Sequence, residues 1–175
     1  LHGAHMGAGR DGAGTPQEPP IERLDISVTA FAAEALRAAG GHEEALARAK
    51  AFAFACTHAD GGGFFTPTAP WSEHLNKAGD KRSYGTTTAD VARVLRACGS
   101  DDAAAVAWLD EHFKADTVPG FSGEGERFDE AMSFYWLLGA ARLDRPAWKP
   151  AIRIRLASLQ KADGSWTNAN GLMKE

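Results

Sequence analysis

The chain has 175 residues, of which 44% are apolar and 24% charged, and its formal net charge is −4 at pH 7. This composition predicts one soluble globular domain with enough residues to bury a core. Because acidic residues outnumber basic ones, the sequence lacks the basic surface that a nucleic-acid partner would require. The longest apolar run, residues 134–141, is far shorter than the ~20 residues that cross a bilayer, so we expect no transmembrane segment.

Residues 1–20 are rich in glycine, alanine and proline and show no apolar periodicity. We therefore expect a disordered segment, or one of non-native origin given its Gly3-Ala4-His5-Met6 sequence. It has neither the basic nor the apolar region of a signal peptide, and the cellular compartment stays undetermined. The folded domain is expected to span residues 21–175.

Helical spacing predicts the first hairpin. A helix from about Ser27 to Gly40 has apolar residues at i, i+3, i+4 and i+7, and this stripe consists of Val28, Phe31, Ala32, Ala35, Leu36 and Ala39. A second helix, from about Glu43 to His58, has one apolar face formed by Leu46, Ala49, Ala53 and Cys56. Cys56 and Cys98 both lie on apolar helix faces, so we expect free thiols rather than a disulfide.

Residues 64–86 form the longest irregular stretch of the sequence. Loops of this length are uncommon in compact domains and often carry function. Its Trp71, His74 and Tyr84 are candidate binding residues. The alternative is a surface loop without a role.

The third helix is predicted from the sequence Thr87-Thr88-Ala89-Asp90. This spacing is typical of a capping box, in which Thr87 caps the helix and the carboxylate of Asp90 reaches back to it. The apolar stripe that follows consists of Val91, Val94, Leu95 and Cys98. A fourth helix begins at Asp101-Asp102, and its core face consists of Val106, Leu109 and Phe113.

The fifth helix is apolar nearly all the way round between Met132 and Leu138, so we expect it to be buried on both sides. The sixth helix begins near Pro146 and Pro150, where missing N–H groups do little harm. Its core face is predicted to consist of Trp148, Ile152, Leu156 and Leu159.

Similar segments end two of these helices. In LASLQKADGSW, residues 156–166, Gln160 ends the helix, Asp163 and Gly164 form a turn, and Trp166 follows. In FACTHADGGGF, residues 54–64, we place His58 where Gln160 stands and Phe64 where Trp166 stands; HFKADTVPGF, residues 112–121, is a looser third version. The sequence TAFAAEALRAAG at 29–40 also matches TADVARVLRACG at 88–99. These matches predict an all-α array of three αα-hairpin repeats.

The Q…DGSW ending, on a hairpin whose first helix opens with a Thr-Ala step, resembles the repeats of squalene/hopene cyclases and protein prenyltransferases. The resemblance covers the chain from about Leu24 onward. Those proteins form an α/α toroid, in which two rings of helices are concentric. The resemblance implies about half of such a toroid, which further chain or self-association would complete.

The resemblance also yields one weak catalytic candidate. The proton donor of the cyclases belongs to a D-x-D-D-T-A motif, and residues 25–30, DISVTA, match only its first Asp and its T-A step. Asp25 is that candidate. The alternative is that Asp25 is an acid that favours a helix N-terminus and that Ser27 caps the helix. We expect no recognisable catalytic acid motif in this segment.

No metal or other cofactor is expected. The prenyltransferases hold zinc with an Asp, a Cys and a His, whereas residues 128–135 offer Asp129 without Cys or His nearby. Cys56 and His58 are two residues apart on one predicted helix, so their side chains diverge.

Two functions remain open. The first is an enzyme, either an isomerase or lyase like the cyclases or a transferase like the prenyltransferases, that acts on an isoprenoid or other lipophilic small molecule. Its cavity would be lined by residues that include Tyr84, Asp129, Tyr135 and Trp136. The second is a non-catalytic helical-hairpin scaffold that binds a protein partner. Aromatic residues at helical spacing belong to a core more often than to a cavity.

Overall fold

The computed structural model describes residues 24–67, 82–120 and 126–167, with the backbone alone for 126–131. Within these ranges the protein is all-α, as predicted, and its one β-bridge joins Thr57 to Gly63. The helices are α1 (Ile26–Ala39), α2 (Glu43–Ala55), α3 (Gly85–Ala97), α4 (Ala103–His112), α5 (Glu126–Arg142) and α6 (Lys149–Leu159). They pack in sequence as three hairpins, α1 with α2, α3 with α4 and α5 with α6.

Helix α3 is the centre of the array, because it packs against α1, α2, α4 and α5. Every residue from Gly85 to Leu95 is buried. The sequence predicted that α5 is buried on both sides, and that prediction was wrong, since α5 leaves Leu138 43% exposed. The position of a helix in the array decides how much of it is buried. The middle hairpin has a neighbour on each side, whereas α5, although apolar, belongs to a hairpin with one neighbour in the described residues.

Most of the predicted apolar stripe of α1 is exposed, although Leu36 packs against the core. The residues that α1 buries are Ile26, Ala30 and Ala33, whereas Val28 and Phe31 of the stripe are exposed. Alanines occur on every side of α1, so the spacing of its apolar residues does not identify which face is buried. Small side chains let α1 lie close to α3, and this close approach selects the Ala30 and Ala33 face.

The ends of three helices differ from prediction. Asp25 rather than Ser27 caps α1, accepting a hydrogen bond from the Val28 N–H at 2.6 Å. Helix α2 ends at Ala55, before His58, because the chain turns there.

Helix α3 begins at Gly85, so Thr87 lies inside its first turn and forms no capping box. Its hydroxyl donates instead to the Gly63 carbonyl at 2.6 Å, which ties α3 to the first hairpin.

The remaining apolar faces agree with prediction. Helix α2 buries Leu46 and Ala53, and Cys56, which directly follows it, is also buried; α4 and α6 bury, respectively, Leu109 and Ile152. Neither Cys56 nor Cys98 forms a disulfide within the described part of the chain. None of the helices in the described ranges is both long enough and apolar enough to cross a membrane. The segment 1–20 and residues 68–81 of the long loop lie outside those ranges.

Candidate functional site

Three helices bring polar side chains together over the middle of α3. Asp90 and Arg93 lie one turn apart on α3, and α1 contributes Ser27 and Glu34, two turns apart. From α5 come Tyr135 and Arg142, also two turns apart. We call these six residues the Asp90–Arg93 network.

Asp90 is the centre of the network and has no solvent-exposed surface. Its Oδ1 accepts from Arg93 at 2.6 Å, and its Oδ2 accepts from the Ser27 hydroxyl at 2.8 Å and the Tyr135 hydroxyl at 3.3 Å. Burial raises the pKa of Asp90 to about 6, although the hydrogen bond from Ser27 and the charge of Arg93 oppose the shift. Burial and the nearby Asp90 carboxylate raise the pKa of Tyr135 to about 12.

Arg93 joins Asp90 to Glu34. Its Nε and Nη2 donate to the two carboxylate oxygens of Glu34, each at 2.8 Å, and this paired geometry is the strongest form of such a contact. The hydrogen bond from Arg93 lowers the pKa of Glu34, against the opposing effect of burial. Arg142 also donates to Glu34, and the guanidinium groups of Arg93 and Arg142 lie over the Phe31 ring, 4.7 and 5.2 Å from its centroid.

An open cleft of about 270 Å³ adjoins the network where α1, α3 and α5 end. Its charged lining is mostly arginine, and consists of Glu34, Arg37, Arg93, Arg96 and Arg142. These arginines already have partners: Arg96, for example, donates to Asp102 at 2.7 Å and to the Leu143 carbonyl at 2.8 Å. The arginines that line the cleft therefore connect the helix ends by hydrogen bonds from their guanidinium groups.

The carboxylate oxygens of the network are already engaged in hydrogen bonds within it. Asp90 and Glu34 have the ability to accept protons, but both oxygens of each carboxylate already accept hydrogen bonds from neighbouring side chains. The described residues contain no group of three or more His, Cys, Asp or Glu side chains placed to hold a metal ion. What this arrangement does is hold α1 and α5 against α3.

Three of the predicted cavity residues, Tyr84, Tyr135 and Trp136, have side chains in the described part of the chain. Trp136 is fully buried in the core, where its Nε1 donates to the Lys114 carbonyl at 2.8 Å. Tyr84 is buried at the start of α3, and Tyr135 belongs to the network. Trp71 and His74 lie outside the described residues, as does the side chain of Asp129.

Sequence reasoning missed the network residues Glu34, Asp90, Arg93 and Arg142 as candidates. Asp90 was interpreted as part of a cap. One signal was available: Asp90 and Arg93 lie three residues apart within a run of apolar residues, a spacing that places both charges on one helix face.

The two predicted turn motifs form turns of the same kind. Asp60 Oδ1 accepts from the Gly62 N–H at 2.8 Å, as Asp163 Oδ1 accepts from the Ser165 N–H at 2.9 Å. Gly61 and Gly164 both have φ of +86°, which favours glycine. The predicted turn at Asp163 and Gly164 is confirmed, and Asp60 and Gly61 form its counterpart in the first hairpin.

The pairing of His58 with Gln160 was off by one residue in the turn. Alignment of the Ala-Asp-Gly triplets places Lys161 opposite His58, since His58 N–H donates to Gly62 O at 2.8 Å and Lys161 N–H to Ser165 O at 2.8 Å. The first motif has one more glycine before its aromatic residue. Phe64 packs on the His58 ring, with centroids 4.5 Å apart, while Trp166 donates from Nε1 to the Leu156 carbonyl at 2.9 Å. Gln160 Nε2 donates to the Gly164 carbonyl at 2.9 Å and so holds its own turn.

The two turns differ in their surroundings. In the first, Asp60 also accepts from the Ser83 hydroxyl at 3.0 Å and from Trp108 Nε1 at 3.2 Å, so it fastens the turn to the middle hairpin. Burial raises the pKa of Asp60, but these bonds and the one from Gly62 outweigh it and lower the pKa overall. In the second turn, Trp166 remains 45% exposed.

Comparison with family models, with curated proteins and with solved structures finds no match for this chain.

Proposed function

We propose that this chain is a non-catalytic helical-hairpin scaffold that binds a protein partner built of similar hairpins. The observation that carries the proposal is the apolar surface on the outer side of α1, formed by Leu24, Val28 and Phe31, which we call the head surface. All three side chains are exposed, and Val28 is 66% exposed. Val28 and Phe31 lie one turn apart on α1, and Leu24 directly precedes the cap residue Asp25.

A surface of this kind supports binding to another helical surface. Exposed apolar clusters often mark interaction sites, and a repeat array normally covers its end with a polar face. The head surface has no such cover in the described part of the chain. Hairpins of the same kind, which pack on one another through apolar and small residues, are the partner that matches it.

The Asp90–Arg93 network supports the same proposal. Its carboxylates and guanidinium groups neutralise one another, and Phe31 of the head surface lies under two of its arginines. The network therefore fixes the position of α1 and presents the head surface on a rigid support. An enzyme acting on isoprenoids remains a prediction that rests on the family resemblance.

The test is affinity capture of the tagged chain from its own organism, followed by identification of bound proteins. We expect a hairpin-containing protein to be retained by the wild type and lost with Val28→Asp, because an aspartate would be desolvated in the contact. The matched control is Ile154→Asp, which places the same charge at another exposed apolar position, 70% exposed on α6. Equal recovery with both variants would show that the head surface is not the binding surface.

A further inference from the structure

We propose that the partner of the head surface is a second copy of this chain, whose third hairpin packs against α1 in the way that the first hairpin packs against α3. This inference rests on the proposed function and names its partner. Three repeated features of the hairpins support it.

The first feature is the equivalence between α1 and α3. The alignment of Thr29 with Thr88 places the head-surface residues Leu24, Val28 and Phe31 opposite, respectively, Ser83, Thr87 and Asp90. Each of those residues of the middle hairpin hydrogen bonds to the first hairpin.

The partners of these three bonds lie on two parts of the first hairpin. Ser83 bonds to Asp60 at 3.0 Å, Thr87 to Gly63 O at 2.6 Å, and Asp90 to Ser27 at 2.8 Å. Leu24 and Val28 thus occupy positions at which the middle hairpin receives the hairpin before it, while Phe31 also packs against Tyr135, Arg93 and Arg142. The head-surface residues are apolar where their equivalents in the middle hairpin are polar, so we expect the surface that packs against them to be apolar.

The second feature is an arginine contact that repeats along the array. Arg37 donates from Nε to the carbonyl of Ala97, and Arg96 donates from Nη1 to the carbonyl of Leu143. Ala97 directly follows Arg96, and Leu143 directly follows Arg142. Each of the two arginines therefore bonds to the residue that follows the equivalent arginine of the next hairpin. Hairpins one, two and three are therefore related by one repeated step, and a further hairpin would meet α5 by the same step.

The third feature is the position of the exposed apolar residues. Ala33 and Ala92 lie one turn before Arg37 and Arg96, and both are buried. Leu138 lies one turn before Arg142 and is 43% exposed. Leu138 thus occupies the position that, in the first two hairpins, faces the following hairpin.

Trp166 follows the turn that corresponds to the Gly63 turn, and it is also exposed. We call Leu138 and Trp166 the tail surface. The large apolar side chains that are exposed in the described residues belong to the first and third hairpins: Leu24, Val28, Phe31, Phe54, Leu138, Ile154 and Trp166. The described part of the middle hairpin has none, because it packs against a neighbouring hairpin on each side.

The head and tail surfaces are different, so their contact is heterologous. Such contacts either close into a ring or extend as an open chain. Ile154 belongs to neither surface, because the alignment of the two turn motifs places it opposite Ala51, which is exposed on α2. Ile154→Asp is therefore a matched control here as well.

The experiment is sedimentation velocity of the purified chain over a range of concentrations. We expect association of the wild type and of Ile154→Asp, and at least about tenfold weaker association of Val28→Asp and of Leu138→Asp, each alone. An equimolar mixture of the two weakened variants should recover a heterodimer, since one intact head then meets one intact tail. Thermal unfolding checks that each variant is folded, and Trp166→Asp replaces Leu138→Asp if the latter is not.

Two results would overturn the inference. A wild-type chain that stays monomeric at every concentration rules out self-association, while the proposed function still stands if capture of a different protein depends on Val28. Association that survives Leu138→Asp and Trp166→Asp but is lost with Val28→Asp would indicate contact between two heads.

Discussion

Asp90 is a buried carboxyl group whose hydrogen-bond partners come from three helices. Ser27 from α1, Arg93 from α3 and Tyr135 from α5 all donate to it. Removal of one partner of a buried charge usually costs more than the pair contributes, because the other partner stays desolvated. The network therefore specifies which faces of α1 and α5 meet α3, beyond what apolar packing selects.

The raised pKa of Asp90 leads to a pH-dependent prediction. Because its pKa is about 6 in the folded protein and near 3.8 in the unfolded chain, folding favours the protonated form. The stability that Asp90 contributes is present below about pH 4 and is lost as the pH rises through 6. We expect the stability of the wild type relative to Asp90→Asn to fall by up to about 3 kcal/mol between pH 4 and pH 7.

Urea unfolding of both proteins across this pH range measures the difference. Other carboxyl groups, such as Glu34 with its lowered pKa, are present in both proteins and largely cancel. A difference that is constant with pH, or that grows as the pH rises, would contradict the assignment.

Trp136 and Tyr135 are neighbours in the sequence with different roles. Trp136 is fully buried, so we expect Trp136→Ala to destabilise the fold by about 3–5 kcal/mol. Tyr135→Phe removes only the hydroxyl that donates to Asp90 at 3.3 Å and should cost about 1 kcal/mol. Thermal or urea unfolding compares the two variants. A Trp136→Ala protein that keeps wild-type stability would place the indole in a cavity rather than in the core.

At the scale of the helices and turns, the Gly61–Gly63 turn joins the first hairpin to the second. Gly63 N–H donates to the Thr88 hydroxyl at 2.8 Å, and its carbonyl accepts from the Thr87 hydroxyl at 2.6 Å. A Cβ atom on Gly63 would lie 2.7 Å from the Thr87 carbonyl oxygen, where neither backbone is able to yield easily. The glycine is thus required by the close approach of the turn to α3.

We therefore expect Gly63→Ala to destabilise the protein by about 1–3 kcal/mol. Gly139→Ala is the comparison, because its Cβ would lie 3.2 Å from the Ala89 side chain within a helix, where alanine is favoured. That variant should stay within about 1 kcal/mol of the wild type. Urea unfolding of the two variants decides the question, and equal effects would mean that the turn adapts to the added methyl group.

At the scale of the whole molecule, the array is a short piece of a repeating structure. The arginine contacts and the two Asp-Gly turns recur along it, and the middle hairpin is buried on both sides because it alone among the three has two neighbours. The large apolar side chains that are exposed in the described residues all belong to the two outer hairpins. Repeat arrays gain stability from contacts between neighbours, and the self-association that we propose would place the head and tail surfaces in such a contact.

The sequence by itself determined the all-α class, the six helices, the three hairpins and the Asp-Gly turns. These depend on local spacing, on turn residues and on apolar faces such as that of α2, which neighbouring residues carry without help from the rest of the chain. The tertiary structure alone decided which face of alanine-rich α1 is buried, which helix lies at the centre, and that Asp90 pairs with Ser27 and Tyr135 instead of capping α3. Those outcomes depend on residues that are far apart in the chain and meet only when the hairpins pack, so no local pattern contains them.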